Sequence, residues 1–178
     1  MHEYREELIR SEAAFDGRLL RVRVDTVRLP DGGEATREVV VHPGAVALVP
    51  LMGDDVILVR QWRQPLGGVT LEVPAGTLDP GESAEECAAR ELREETGYAA
   101  GRLDKLFALA LAPGYSSEII HVYLAQDLRP AGAEQDADEK VSAEQVPFDE
   151  ALRRCLAGEL PDAKTVAGLL AAARALGR

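Results

Sequence analysis

The sharpest constraint in this sequence is a change of period at Ser83. Ahead of it the chain reads as a succession of strands. Arg18 to Leu29 alternates, with Leu20, Val22, Val24 and Thr26 on one face. Asp31-Gly32-Gly33 signals a turn, and Glu38 to Val41 is extended again, so this stretch is a hairpin. Ala45–Leu51 and Val56–Arg63, joined through Gly53-Asp54-Asp55, are short apolar runs of the kind buried strands show, and Val69–Val73 adds another. From Ser83 to Thr96 the pattern is helical. Ser83 with Glu86 three residues on makes a capping box, and Gly97 stands where a left-handed C-cap glycine belongs. Strand patterns return at Leu103–Leu111, Ile119–Ala125 and about 140–146. Two helices close the chain, at about 148–157 and 162–176. The second carries Val166, Leu169, Leu170 and Ala173 at helical spacing, the mark of a packed face.

Length and composition narrow the class. A chain of 178 residues, 46% of them hydrophobic, is expected to form one compact domain with a real core and a small appendage. No apolar run approaches the roughly 18 residues of a membrane span, and the N-terminus has no signal-peptide pattern. The formal charge of -11 argues against nonspecific binding to nucleic acid or anionic membrane. It also requires that an anionic substrate be met through a cation. Cys87 and Cys155 are far apart in helix-like sequence and form neither a disulfide framework nor a zinc pattern, which suits a reduced cytoplasm.

The chemistry concentrates in Gly76–Tyr98, GTLDPGESAEECAARELREETGY, with six glutamates, five of them in the helix. Glu91 and Glu95 stand on one helical face a turn apart, with Glu94 beside them. Like charges at this spacing repel by about 0.2–0.5 kcal/mol per pair. A solvated acidic face with Arg90 and Arg93 as partners is the plain reading. A hard divalent cation is the functional one, because Mg²⁺ takes carboxylate oxygens and keeps positions for phosphate.

The spacing of the whole segment weighs toward the second. Gly76, five residues, Glu82, seven residues, then Arg90-Glu91-Leu92-Arg93-Glu94-Glu95-Thr96-Gly97-Tyr98 resembles the Nudix box, G-x5-E-x7-R-E-U-x-E-E-x-G-U, at every fixed position. The chain thus resembles the Nudix hydrolases. The resemblance implies an α/β fold, an α/β/α sandwich with a mixed sheet, preceded by N-terminal antiparallel strands: residues 1–44 as an arm serving dimerisation and part of the substrate site, 45–178 as the hydrolase domain. It also implies hydrolysis of a nucleoside diphosphate linked to a second group, with Mg²⁺ as cofactor and Mn²⁺ or another divalent cation as possible substitutes. Glu91 and Glu95 match the principal metal ligands, Glu94 a third, and the Ala75 carbonyl a fourth; Glu94 and Glu95 count among the catalytic residues. Glu82 and Arg90 match an ion pair that orients loop and helix.

Flanking residues resemble the ADP-ribose pyrophosphatase branch: Arg37–Ala45, Arg60-Gln61-Trp62-Arg63-Gln64-Pro65, Leu71–Gly76, and Pro113, sixteen positions after Gly97, within Ala112–Glu118. The branch implies a homodimer acting on a small nucleotide. Arg63 would grip the pyrophosphate, Glu72 would sit near the adenine or terminal ribose, and Arg37 would be lent across the dimer. Pro113, Gly114 and Glu118 fall in a substrate loop. GDP-mannose or another nucleotide sugar is the alternative substrate, and a non-catalytic ligand sensor the alternative of another class. The family glutamate of the acidic loop aligns with Glu139, as base or metal ligand, with Asp136, Asp138 and Glu134 competing. His42 and His121 are expected to be satisfied core or rim histidines and Cys87 a packing residue, and Trp62 is expected in the core, with an adenine-facing edge as the alternative.

Overall fold

The computed structural model describes residues 3–132 and 140–178. The chain divides into two units: Met1–Gly44 with Ala110–Ile119, and Ala45–Leu109 with Ile120–Arg178.

The first unit is an antiparallel sheet in the order β1 (Glu7–Asp16), β2 (Arg21–Arg28), β3 (Glu34–Val41). The expected hairpin is β2–β3, closed through Gly32 with Arg28 opposite Glu34. β1 was not expected: all ten of its residues are exposed, so its sequence carries no alternation to read. The apolar face proposed for β2 is only half-buried, while Asp25 and Val27 on the opposite face are the buried positions. The loop Ala110–Ile119 joins this unit by backbone bonds to β3, with Val40 N–H donating to Tyr115 O at 2.7 Å and Ser117 N–H to Val40 O at 3.0 Å.

The second unit is built on a seven-stranded sheet. Its path runs β12 (Val141–Pro147), β5 (Asp55–Arg63), β4 (Ala45–Met52), β10 (Ile119–Gln126), β9 (Arg102–Ala110). β6 (Gly68–Glu72) pairs with β5, and β7 (Ala75–Thr77) with β4. β4 runs parallel to β10 and antiparallel to β5, so the sheet is mixed. A ribbon of two residues a side, β8 (Tyr98–Ala99) against β11 (Arg129–Pro130), lies beyond what period analysis resolves.

β4 explains the layering. Its residues alternate between two cores, which is why the run Ala45–Leu51 is continuously apolar. Val46 and Leu48 pack with Cys87, Ala88 and Leu92 of α1 (Ala84–Thr96). Ala47, Val49 and Leu51 pack with Phe148 and Ala151 of α2 (Phe148–Leu156) and Leu169 and Ala172 of α3 (Ala163–Ala175). One helix on one face and two on the other make the expected α/β/α sandwich. α3 approaches so closely that a Cβ on Gly168 would meet Val49 Cγ2 at 3.1 Å. The buried stripe of α3 differs from the expected one. Leu170 is exposed, while Lys164 and Thr165 are buried at its start. Trp62 also departs from expectation. It is 55% exposed, with its indole N–H on Gln64 Oε1 at 2.9 Å.

Candidate active site

The site grows from the first turn of α1 upward. Ser83 caps the helix through the expected box, its hydroxyl accepting from Glu86 N–H while Ser83 N–H donates to the Glu86 carboxylate at 2.9 Å. Glu85 and Glu86 in the first turn favour the helix N-terminus, and Gly97 closes the other end with φ 76°. This fixes where Arg90, Glu91, Glu94 and Glu95 point.

Arg90 lies at the centre. Its Nε and Nη2 donate to the two oxygens of Glu82, both at 2.9 Å, which is the expected ion pair. Nη1 reaches Glu91 Oε1 at 2.7 Å and Glu94 Oε2 at 3.0 Å, and Nη2 also reaches the Thr77 carbonyl at 3.2 Å. The hydrogen bonds from Arg90 hold the Glu82 carboxyl at about 2, well below the usual carboxylate range. One guanidinium thus ties the loop after β7 to three carboxylates. Cys87, a turn before Glu91, is buried with its thiol pushed up to about 12 by that burial, so it is a packing residue and not a nucleophile.

Two contacts pin the carboxylates against β7. Ala75 N–H donates to Glu95 Oε2 at 2.9 Å, and Glu95 is 7% exposed. Glu91 lies over Gly76 so closely that a Cβ there would sit 1.8 Å from Glu91 Oε1. Gly76 serves as a cradle for a carboxylate. Glu91, Glu94 and Glu95, with the Ala75 carbonyl, are the oxygen donors that could take a hard divalent cation. The donor set fits: Arg90 brings one positive charge to the three carboxylates it bridges, and Glu95 adds a fourth carboxylate a turn away. Among the described residues no three acidic, His or Cys side chains are grouped closely enough to hold a metal ion, and Arg90 Nη1 is bonded to both Glu91 and Glu94.

Arg63 ends β5 opposite Gly68 and Glu72 ends β6 opposite Val59, and the long Arg63 side chain reaches along the sheet to the Glu72 carboxylate. Arg63 Nε and Nη2 bond the two Glu72 oxygens at 2.9 and 2.7 Å. Glu72 is 3% exposed; it also accepts from the Thr70 hydroxyl and from Lys164 of α3. Sequence reasoning missed Lys164. The only signal was a lysine in the first helical turn, where the dipole disfavours a cation. Burial pushes Glu72 up, but the bonds from Arg63 and the Lys164 charge outweigh it and hold the carboxyl at about 2. The hydrogen bond from Arg63 to Glu72 is the main cause that raises Arg63 against its burial, with smaller contributions from the charges of Asp162 and Glu95.

A pH dependence follows. The folded pKa of Glu72 lies below its ordinary value near ~4.3, so the native state resists protonation there. The stabilisation is complete above about pH 4.5 and is lost as pH falls toward 2. Thermal melts of wild type and Glu72→Gln should differ most near neutrality, with the gap narrowing below about pH 4.5 and closing only as pH approaches 2. A gap that stays constant down to pH 2.5 would show that Glu72 is not ionised in the fold.

Apart from His121 of the second unit, the remaining expected residues lie in the first unit or outside the described residues. Arg37 is ion-paired with Glu6 of its own chain, Nη2 to Oε1 at 2.5 Å. Pro113 and Gly114 form an exposed turn, and Glu118 Oε1 is 4.0 Å from His42 Nε2. His42 takes the Gly44 N–H on Nδ1 at 3.1 Å. His121 departs from the expected satisfied histidine, for its Nδ1 is buried without a partner. Glu139, with Glu134, Asp136 and Asp138, lies outside the described residues.

A glutamate-bearing helix locked to a glycine cradle on a mixed sheet sets the box carboxylates as a hydrolase of this motif requires, and comparison with known proteins gives the class. The chain belongs to the Nudix hydrolase family, with the NUDIX domain matching residues 41–169. Residues 6–40 match the nucleoside diphosphate sugar hydrolase N-terminal domain. An ADP-ribose pyrophosphatase of Bacillus subtilis (strain 168) is 41% identical over 168 residues, 93% of this chain and 91% of that protein. A methanol dehydrogenase activator of Bacillus methanolicus is 40% identical over 166 residues, 92% of this chain and 90% of that protein. A crystal structure of an ADP compounds hydrolase matches with a TM-score of 0.83 and 29% identity, covering 97% of this chain and 95% of that one.

Proposed function

We propose that this protein hydrolyses the pyrophosphate of ADP-ribose to AMP and ribose 5-phosphate. The observation that carries the reading is likeness to an ADP-ribose pyrophosphatase over nearly the whole chain, N-terminal strands included, joined to a complete set of box carboxylates. Glu91, Glu94, Glu95 and the Ala75 carbonyl would hold Mg²⁺, or Mn²⁺ in its place. When bound, the cation supplies Lewis-acid polarisation of phosphate oxygens and orientation of the attacking water. Arg63 would meet the pyrophosphate through charge-assisted hydrogen bonds, and Glu72, which holds Arg63, would sit near the adenine or terminal ribose. Glu139 would take the proton of the attacking water, and Arg37, Pro113, Gly114 and Glu118 would line the substrate. The water oxygen bonds to one phosphorus as the bridging P–O bond to it breaks, so the bridging oxygen stays with the other phosphate and both products leave as phosphate monoesters.

The test is product chromatography on ADP-ribose and GDP-mannose with Mg²⁺, Mn²⁺ or chelator. AMP and ribose 5-phosphate, formed only with metal and faster than products of GDP-mannose, are expected. Preference for GDP-mannose would move the substrate assignment, and binding without turnover of either would make the protein a sensor.

The same reading makes the protein a homodimer built on residues 1–44. Its support is an N-terminal sheet too small for a core of its own, with Leu8, Phe15, Leu19 and Leu20 exposed. Sedimentation should give twice the 19.2 kDa chain mass. A monomer at micromolar concentration with full activity would refute it. Among the described residues no helix is long and apolar enough to cross a membrane, and both cysteines are buried and free, which supports a reduced, cytoplasmic setting.

A further inference from the structure

α3 begins with a residue its position disfavours. A lysine in the first turn opposes the helix dipole, and a buried ammonium is costly unless paired. Lys164 is nevertheless 9% exposed. Its Nζ donates to Asp162 Oδ1 at 2.9 Å and to the Glu72 carboxylate.

The fold does not need this ammonium to seat the helix. Asp162 already caps α3 by accepting from Thr165 N–H at 2.9 Å, and Thr165 Oγ1 accepts Val73 N–H at 2.9 Å. Those bonds staple the start of α3 to the end of β6. An apolar side chain of similar length would fill the same space but would leave the buried Glu72 carboxylate with Arg63 as its one cation among the described residues, which is costly. What Lys164 adds is a second cation on Glu72.

That addition matters for Arg63. Glu72 holds the guanidinium by Nε and Nη2, which leaves Nη1 for another acceptor, and the Arg63 side chain is 37% exposed. Were Arg63 the only cation on a carboxylate this deeply buried, a phosphate would have to compete with Glu72 for it. Any shift of Arg63 toward the phosphate would strip a buried charge of its partner. Lys164 and Thr70 hold Glu72 from the other side and share that charge. We propose that Lys164 is a positioning residue for anion binding: by giving the buried Glu72 carboxylate a second cation, it frees Arg63 to present its outer edge to the pyrophosphate. The inference rests on the reading of Arg63 as the pyrophosphate grip.

The experiment compares the full chain as Lys164→Met, Lys164→Arg, Arg63→Ala and the Arg63→Ala/Lys164→Met double variant, measuring kcat and KM for ADP-ribose together with Tm. Lys164→Met should raise KM roughly five- to twentyfold with kcat within about twofold. Lys164→Arg should bring KM back to within about threefold, and in the Arg63→Ala background Lys164→Met should add less than about twofold. If Lys164→Met melts below the assay temperature, Lys164→Gln, which keeps a donor, takes its place with the same expected split. A loss in kcat with KM unchanged, failure of Lys164→Arg to recover, or an undiminished KM effect without Arg63 would overturn the proposal. If Arg63→Ala itself leaves KM at the parental value, the pyrophosphate assignment of Arg63 is wrong and the role of Lys164 falls with it. A normal Arg63 effect with a silent Lys164→Met sinks the Lys164 inference alone.

Discussion

Glu95→Gln and Glu91→Gln should each lower kcat by at least ~10²-fold at saturating Mg²⁺. Both changes keep the shape of the side chain and remove one charged oxygen donor. In Glu95→Gln the amide oxygen can still accept from Ala75 N–H, the contact that pins this carboxylate at 2.9 Å. In Glu91→Gln it can still accept from Arg90 Nη1, now at 2.7 Å. Each variant also relieves like-charge repulsion along α1 by a few tenths of a kcal/mol, which offsets the weaker bond to a neutral partner. The Tm of either should therefore stay within a few degrees of the parent, so that loss of activity reports on the metal and not on the fold. Parental turnover in both would remove the metal assignment.

The second large effect is expected from a single methyl group. Gly76→Ala should cost activity on the same ~10²-fold scale as Glu91→Gln, with a stability loss of about 1–3 kcal/mol. The requirement at Gly76 is space and not torsion, since Gly76 is not among the glycines with positive φ. A Cβ would lie 1.8 Å from Glu91 Oε1 and 1.9 Å from its Cδ. The atom struck is the end of a flexible side chain, so the fold survives by swinging Glu91 away, and the carboxylate leaves its place over β7. Gly32→Ala provides the contrast. Gly32 has φ 87° and nothing within 4 Å of an added Cβ, so that change should cost roughly 1–2 kcal/mol of stability and no activity. If Gly76→Ala is as active as Gly32→Ala, Glu91 is not held for catalysis.

Elements whose signal is local could be read from the chain. β4 and β5 are apolar on successive residues because both faces are covered, and α1 carries its own start and stop in Ser83, Glu86 and Gly97. The spacing of Glu91, Glu94 and Glu95 places them on one helical face whatever surrounds the helix. Other features had no local signal. β1 is exposed along its length, so no alternation betrays it. Trp62 and Leu170 have side chains that usually pack, yet among the described residues they are left exposed.

By itself the sequence determined the order of the longer buried strands and the helices, the layered class and the helix that carries the carboxylates, because periodicity, capping and spacing are properties of neighbours in the chain. Only the tertiary structure decided that Gly76 is a seat for Glu91, that Arg90 gathers Glu82, Glu91 and Glu94, and that Arg63, Glu72 and Lys164 form one cluster. Glu72 and Lys164 are ninety-two positions apart, and no periodic pattern spans that distance. Their meeting is set by α3 docking onto the sheet through Gly168 and Thr165, where burial turns two surface-type residues into an obligate pair.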